Sequence, residues 1–263
     1  MKRVDLVKVS HDVKVGDKCN YMEPNVTESC LLYENDELVG FYLKDMPERA
    51  TKLANLCNHE FLSDNVPKSM MNRSSAVSAL HQGKIESYAD DVQQFATILG
   101  SCAPKPHMKR PFPIVSSVHG VKSAQVFVKA MLMLAIESER IMKEIAPELH
   151  QRQVEAFADI PEKWRFGNIF TSSISNYNIA ASYHRDAANL VGACNVIITK
   201  RRNSKGGCLS VPDYGIVTDA ADNSMLVYPA WRNVHGVTPI IPTHPDGYRN
   251  SLVFYPLKAF KGL

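Results

Sequence analysis

Asn176–Asn189 reads NYNIAASYHRDAAN. Its first part, Asn176 to Tyr183, has the apolar content of a strand, and the strand delivers His184 and Asp186 at its end, where two residues one apart project to the same side. Further along, Cys194 to Thr199 (CNVIIT) is β-branched and apolar, Lys200 to Gly207 (KRRNSKGG) is a polar turn ending in glycine, and Cys208 to Val211 resumes as strand. Ser224 to Tyr228 (SMLVY), Val234 to Ile241 and Ser251 to Pro256 complete a series of short strands separated by turn signals. Such a series predicts an α+β protein with a double-stranded β-helix, or jelly-roll, core.

The chemistry sits on those strands. His235 lies in the Val234 to Ile241 segment, and Arg249 precedes an apolar run, Ser251 to Tyr255. Two imidazoles and one carboxylate with coordination positions left over are the ligand set of a non-heme Fe(II) oxygenase. An arginine placed among Leu252, Val253 and Phe254 needs a carboxylate partner, because an unpaired buried guanidinium is very costly. Beside such an iron, 2-oxoglutarate is the obvious supplier. The residues therefore predict an oxygenase dependent on Fe(II), 2-oxoglutarate and O2, with His184, Asp186 and His235 on the metal and Arg249 on the cosubstrate. One His-x-Asp pair in a chain with nine histidines is weak by itself; its position at a strand end, with the other elements in order, carries the reading.

The stretch HRDAAN (His184 to Asn189), the segment His235-Gly-Val-Thr-Pro239 and above all Arg249-Asn-Ser-Leu-Val-Phe-Tyr255 resemble the catalytic core of the ten-eleven-translocation and J-binding-protein oxygenases, which oxidise the methyl group of 5-methylpyrimidines in DNA. The resemblance covers roughly Ser172 to Leu257. It implies Ser251 as a helper to Arg249 on 2-oxoglutarate, Asn189 as a hydrogen-bonding partner of a flipped base, and Tyr255 as the aromatic that stacks on it. An amide can offer donor and acceptor to a base edge, and a tyrosine face supports any base. Ala188 and Leu257 stand where the animal enzymes have histidines. The cysteine-rich zinc region of those enzymes has no counterpart among six scattered cysteines without C-x-x-C spacing, so no structural zinc is expected. The chain resembles a minimal member such as those of phages, protists or fungi, expected as a monomer acting on DNA, with 5-methylcytosine favoured over thymine.

Extrusion of a base requires compensating phosphate contacts. The net charge of +3 is far from the footprint of an obligate nucleic-acid binder, so local clusters matter more. Lys200, Arg201 and Arg202, with Lys205, form the favoured cluster; Lys105, Lys109 and Arg110 form a second one within the proline-rich stretch Ser101 to His119. That stretch reads equally as a loop over the site or as a connector.

Residues 1–263 are expected as one domain, with 1–170 as helical and strand support and 171–263 as the jelly-roll catalytic core. Thr27 to Leu43 reads as a strand pair turning at Asn35-Asp36. Met46 to His59 reads as a helix capped by Asp45, and Tyr88 to Leu99 as a short helix carrying Val92, Phe95 and Leu99. Lys122 to Ile145 reads as a longer helix with Val126, Ala130, Leu134, Ile141 and Ile145 on one face and Met131, Met133 and Met142 as core filler. No segment has the length of a membrane span, and the start (MKRVDLVKV) lacks the features of a secretory signal, so cytosolic or nuclear residence is expected, including that of a viral protein in host cytoplasm. Two other readings stand beside the first: an iron and 2-oxoglutarate hydroxylase of a protein side chain, nucleoside or metabolite, and a cupin-like binding module or zinc hydrolase. A buried arginine clamp argues against the last.

Overall fold

The computed structural model describes residues 1–70, 94–106 and 109–263. A large sheet is built from β1 (Lys2–Asp5), β2 (Cys30–Glu34), β3 (Glu37–Leu43), β4 (Ser69–Met70), β5 (Phe95–Cys102), β6 (Ile114–Val115), β7 (Ser172–Tyr177), β9 (Asn195–Arg202), β13 (Met225–Tyr228) and β16 (Tyr248–Tyr255). Its order is β1-β2-β3-β13-β9-β16-β7-β5-β4, with β6 on β5. A four-stranded sheet holds β8 (Ala181–His184), β11 (Leu209–Val211), β12 (Ile216–Thr218) and β14 (His235–Val237) in the order β12-β11-β14-β8; β10 (Ser204–Gly206) and β15 (Ile240–Pro242) form a separate ribbon. This is the jelly-roll core, and the first 170 residues supply six of the ten large-sheet strands, β1 to β6.

Alternation along the central strands decides which face does what. On β16, Leu252 and Phe254 point into the main apolar core, whereas Arg249, Ser251, Val253 and Tyr255 line a cavity on the other face. On β9, Val196 and Ile198 enter the same core while Asn195, Ile197 and Thr199 face the cavity. The core face is covered by helices α1 (Glu48–Leu62) and α2 (Gln125–Ile145), which pack on each other, with α3 (Pro147–Ala156) behind α2. Phe254 anchors it, its ring 5.6 Å from Phe170 and 6.3 Å from Phe166.

Several expectations are met and several corrected. The turn at Asn35-Asp36 forms with both residues at positive φ (49° and 64°), the twist that a two-residue hairpin loop needs. The strand expected over Asn176 to Tyr183 is two strands. Asn178 (φ 52°) breaks it, carrying the chain from β7 in the large sheet to β8 in the small one. The polar turn expected at Lys200 to Gly207 begins later, because β16 pairs with β9 as far as Arg202 and the reversal falls on Asn203 (φ 41°).

Of the expected helix Tyr88 to Leu99, residues 88–93 lie outside those described, and Phe95 to Leu99 is strand: pairing with β7 overrides a spacing that also suits a helix. Asp45 does not cap α1, whose N-cap position is Pro47 with no side-chain bond. On α2 the face shifts, since Ala130, Leu134, Ile141, Met131 and Met142 are buried while Val126 and Met133 are about half exposed.

Candidate metal and cosubstrate site

His184 ends β8 and His235 begins β14, and the antiparallel register sets the two directly opposite each other. Their ring centroids are 4.5 Å apart. Each imidazole donates its Nδ1–H to a backbone carbonyl two residues earlier, His184 to Ser182 (2.8 Å) and His235 to Asn233 (3.1 Å). A carbonyl can only accept, so both rings are held in the tautomer whose Nε2 carries a lone pair. Burial, then the neighbouring His184, depresses the His235 pKa, which keeps the ring neutral and able to ligate.

Asp186 completes the cluster. Its Oδ1 lies 3.6 Å from His184 Nε2, and one ligand atom from each of His184, Asp186 and His235 falls within 4.8 Å of the others. Its second oxygen accepts from Asn195 Nδ2 at 3.0 Å and from Asn189 Nδ2 at 3.3 Å, while Asn189 also donates to Asn195 Oδ1 at 2.7 Å. Two buried amides thus fix the carboxylate. Asn195 escaped sequence reading because an asparagine at the start of an apolar strand gives no signal of its own.

Arg249 is 5% exposed and has no carboxylate partner among the described residues; its Nε is buried without any hydrogen-bond acceptor. Burial, then the charge of Arg201 opposite it on β9, pulls its pKa down to about 10. Beside it, Gly207 (φ 68°) leaves room that a side chain would fill: a Cβ there would sit 3.1 Å from Arg249 Cδ and 3.2 Å from its Nε. The Arg249 backbone is clamped by Asn178, whose Oδ1 accepts from the Arg249 N–H and whose N–H donates to the Arg249 carbonyl, both at 2.9 Å. A guanidinium so placed is an incomplete ion pair, and a dicarboxylate fits it. The two imidazoles and the carboxylate likewise suit a divalent ion such as iron.

One cavity of about 760 Å³ connects these groups. His184, Asp186, His235, Arg249, Ser251, Asn189 and Tyr255 all line it, as do Ala188 and Leu257. Ser251 Oγ accepts from Asn176 Nδ2 at 3.4 Å.

The basic cluster expected to meet phosphate does not stand free. Lys200 is 6% exposed, its ammonium 2.9 Å from Asp222 and 2.6 Å from Asn223 Oδ1. Arg201 donates its guanidinium to the Gly206 carbonyl, and Arg202 pairs with Asp246 at 2.8 Å. The strand register turns Lys200 inward, and nearby aspartates neutralise two of the four charges, while the Lys205 ammonium lies 5.3 Å from the centre of the Tyr21 ring. Lys105 and Arg110, from the second cluster, instead line the cavity, so that described residues of Ser101 to His119 reach the site.

A family model for the oxygenase domain of the 2OGFeDO superfamily, the Tet/JBP family, matches residues 102–258, more than half of the chain. No curated protein sequence matches. Among solved structures, NgTET1 in complex with 5mC DNA is similar over 95% of this chain and 84% of that one, at 15% identity and TM-score 0.56. OsALKBH1 is similar over 90% and 99% at 13% identity and TM-score 0.40, and a full-length Neurospora crassa protein in complex with alpha-KG over 82% and 75% at 13% identity and TM-score 0.37. Motif order, a jelly roll and a His–Asp–His cluster beside an unpaired arginine agree with the first of these findings: the chain belongs to the Tet/JBP family of the 2OGFeDO superfamily, dioxygenases whose cofactors are Fe(II), 2-oxoglutarate and O2.

Proposed function

We propose that this protein oxidises the 5-methyl group of a pyrimidine in DNA, with 5-methylcytosine preferred to thymine. The observation that carries the reading is that a single cavity contains the metal-binding cluster, the unpaired Arg249 and, beyond them, a wall formed by Val253, Tyr255, Ile174 and Ile179. Its volume, about 760 Å³, lies within the size of small-molecule sites in general and leaves space for a ring beside a cosubstrate. The similarity in fold to NgTET1, solved with 5mC DNA, supports DNA as the source of that ring.

Each residue has a physical task in this reading. His184, Asp186 and His235 hold Fe(II), with Asn189 and Asn195 keeping the carboxylate in place. Arg249 presents a planar fork to the distal carboxylate of 2-oxoglutarate, with Ser251 beside it. Iron with 2-oxoglutarate and O2 supplies an oxidant strong enough to hydroxylate a methyl C–H bond, with succinate and carbon dioxide as co-products. Tyr255 offers its face to an extruded base.

Both hydrogens of the Asn189 amide are engaged by Asp186 and Asn195, so its oxygen is what remains for a base. An acceptor there pairs with the cytosine amino group when it faces the C4 end of the base edge, where thymine presents a carbonyl instead of a donor. Incubation with DNA containing both thymine and 5-methylcytosine, followed by mass spectrometry of nucleosides, tests this directly. Succinate release stimulated by methylated DNA supports the proposal, and release indifferent to DNA moves the substrate to a protein side chain, nucleoside or metabolite.

A further inference from the structure

The mouth of the cavity carries cations that form no ion pair among the described residues, although the charge of Asp213 reaches Arg185. Lys105, Arg110 and Arg185 line it, and Lys258 stands next to lining residue Leu257 with its ammonium on the Ala187 carbonyl at 2.7 Å. None of the four forms an ion pair among the described residues, in contrast to Lys200 and Arg202 on the β9 hairpin. The acids lining the cavity are Asp186, which belongs to the metal-binding cluster, and Asp219. Arg110 is the most telling: one Nη donates to the Ala103 carbonyl at 2.7 Å, whereas its Nε is buried without an acceptor. A guanidinium half satisfied at a cavity rim is arranged for an anion, and phosphate matches its fork.

Two residues beyond Arg110 stands Phe112, within about 7 Å along the chain. It is 74% exposed, the most exposed large apolar side chain in the described structure, and it lies between Pro111 and Pro113. Prolines on both sides narrow the backbone freedom of that position, so the ring is presented rather than loosely tethered. An exposed aromatic costs free energy in water unless it meets a partner. Beside a row of unpaired cations, a stack of bases fits better than an apolar protein groove. Apolar side chains that enter a base step and partly unstack it are an established device of DNA-bending proteins.

We infer that this rim is the DNA-docking surface: Lys105, Arg110, Arg185 and Lys258 hold the phosphates flanking the extruded nucleotide, and Phe112 enters the duplex to fill the space it leaves. The inference rests on the proposed function and assigns its partner surface. It replaces the Lys200–Arg202 hairpin, where Lys200 and Arg202 already pair with Asp222 and Asp246.

The test uses the full chain and a methylated duplex, with binding followed by fluorescence anisotropy across a salt series. Each phosphate contact removed lowers the magnitude of the log–log salt slope by about 0.9. The double variant Lys105→Gln/Arg185→Gln, in two exposed residues, is therefore expected to lose about 1.8 of that slope on the same basis. An unchanged slope overturns the rim assignment, as does an equal loss in Arg202→Gln, which would return the phosphates to the hairpin.

For Phe112, 2-aminopurine placed beside the methylated base reports unstacking. Its emission rise on binding is expected to fall by at least half in Phe112→Ala and to recover in Phe112→Trp. A full rise in Phe112→Ala overturns the wedge. Wild-type protein that binds no methylated duplex removes the proposed function itself, whereas binding with unaltered slope and emission in the variants removes only the docking surface.

Discussion

His184 and His235 are cross-strand partners, set face to face by the pairing of β8 with β14. A single register therefore brings together two of the three groups that could hold a metal ion. A slip of one residue would turn either imidazole to the opposite face of the small sheet and dissolve the cluster. Asp186 joins from the loop after β8, tied by its backbone N–H to the Ala230 carbonyl at 3.2 Å.

Asp186→Ala removes the carboxylate of a side chain that is one-third exposed and outside the apolar core. Loss of succinate formation is expected with an unchanged circular dichroism spectrum. Titration with Co(II), followed by its visible bands, should show affinity reduced at least 100-fold, on the order of the largest losses seen for supporting residues. Retention of near wild-type affinity would place the metal elsewhere.

Arg249→Lys and Gly207→Ala should converge on one phenotype for different reasons. Lysine keeps the charge and loses the fork. Alanine at Gly207 keeps the arginine but pushes a Cβ against its Cδ at a backbone φ of 68°, which non-glycine residues adopt only at a cost of about 1 kcal/mol. Each should raise the apparent requirement for 2-oxoglutarate by about tenfold or more, given the two-bond geometry lost. In wild-type protein, 2-oxoglutarate with a divalent ion should raise the melting temperature, by roughly 2.7 kcal/mol of stabilisation at 100-fold excess over Kd. Both variants should lose most of that increment.

Asn195→Ala tests the support of Asp186. It leaves the metal-binding side chains intact but takes a 3.0 Å hydrogen bond from the carboxylate and an acceptor from Asn189. Metal affinity is expected to fall by about 10- to 100-fold, with Asn195→Asp failing to rescue it because two carboxylates would then face each other. An unaltered Co(II) titration would show that Asn189 alone suffices.

The residues that gather around the cavity were readable in the sequence because both histidines fall at strand ends and β16 alternates: Arg249, Ser251, Val253 and Tyr255 share one face, Leu252 and Phe254 the other. What was not readable depended on pairing partners far along the chain. Lys200 looks like a surface lysine until β9 pairs beyond it with β16 and brings it against Asp222. Phe95 and Leu99 suit a helix by spacing, and pairing with β7, joined at Phe95 by β4, makes them strand. Asn178 reads as one more polar residue in a strand, although its left-handed backbone is what passes the chain between sheets.

Phe254→Ala probes the opposite face of β16. The side chain is fully buried among Phe166, Phe170 and the helix-covered core, so truncation should cost about 3–5 kcal/mol through lost burial and a residual void. Chemical denaturation should register this as a lower midpoint, and a loss under about 1 kcal/mol would mean that the core closes over the gap.

The mutual hydrogen bonds of Asn178 and Arg249 have a mechanical meaning. They weld the inner corner of the molecule at the spot where one layer of strands hands over to the other, with the guanidinium rooted in the weld. Strand β8, which carries His184, leaves from the same corner, so one local backbone geometry sets the departure of the strand that bears the first imidazole and the seat of the guanidinium together.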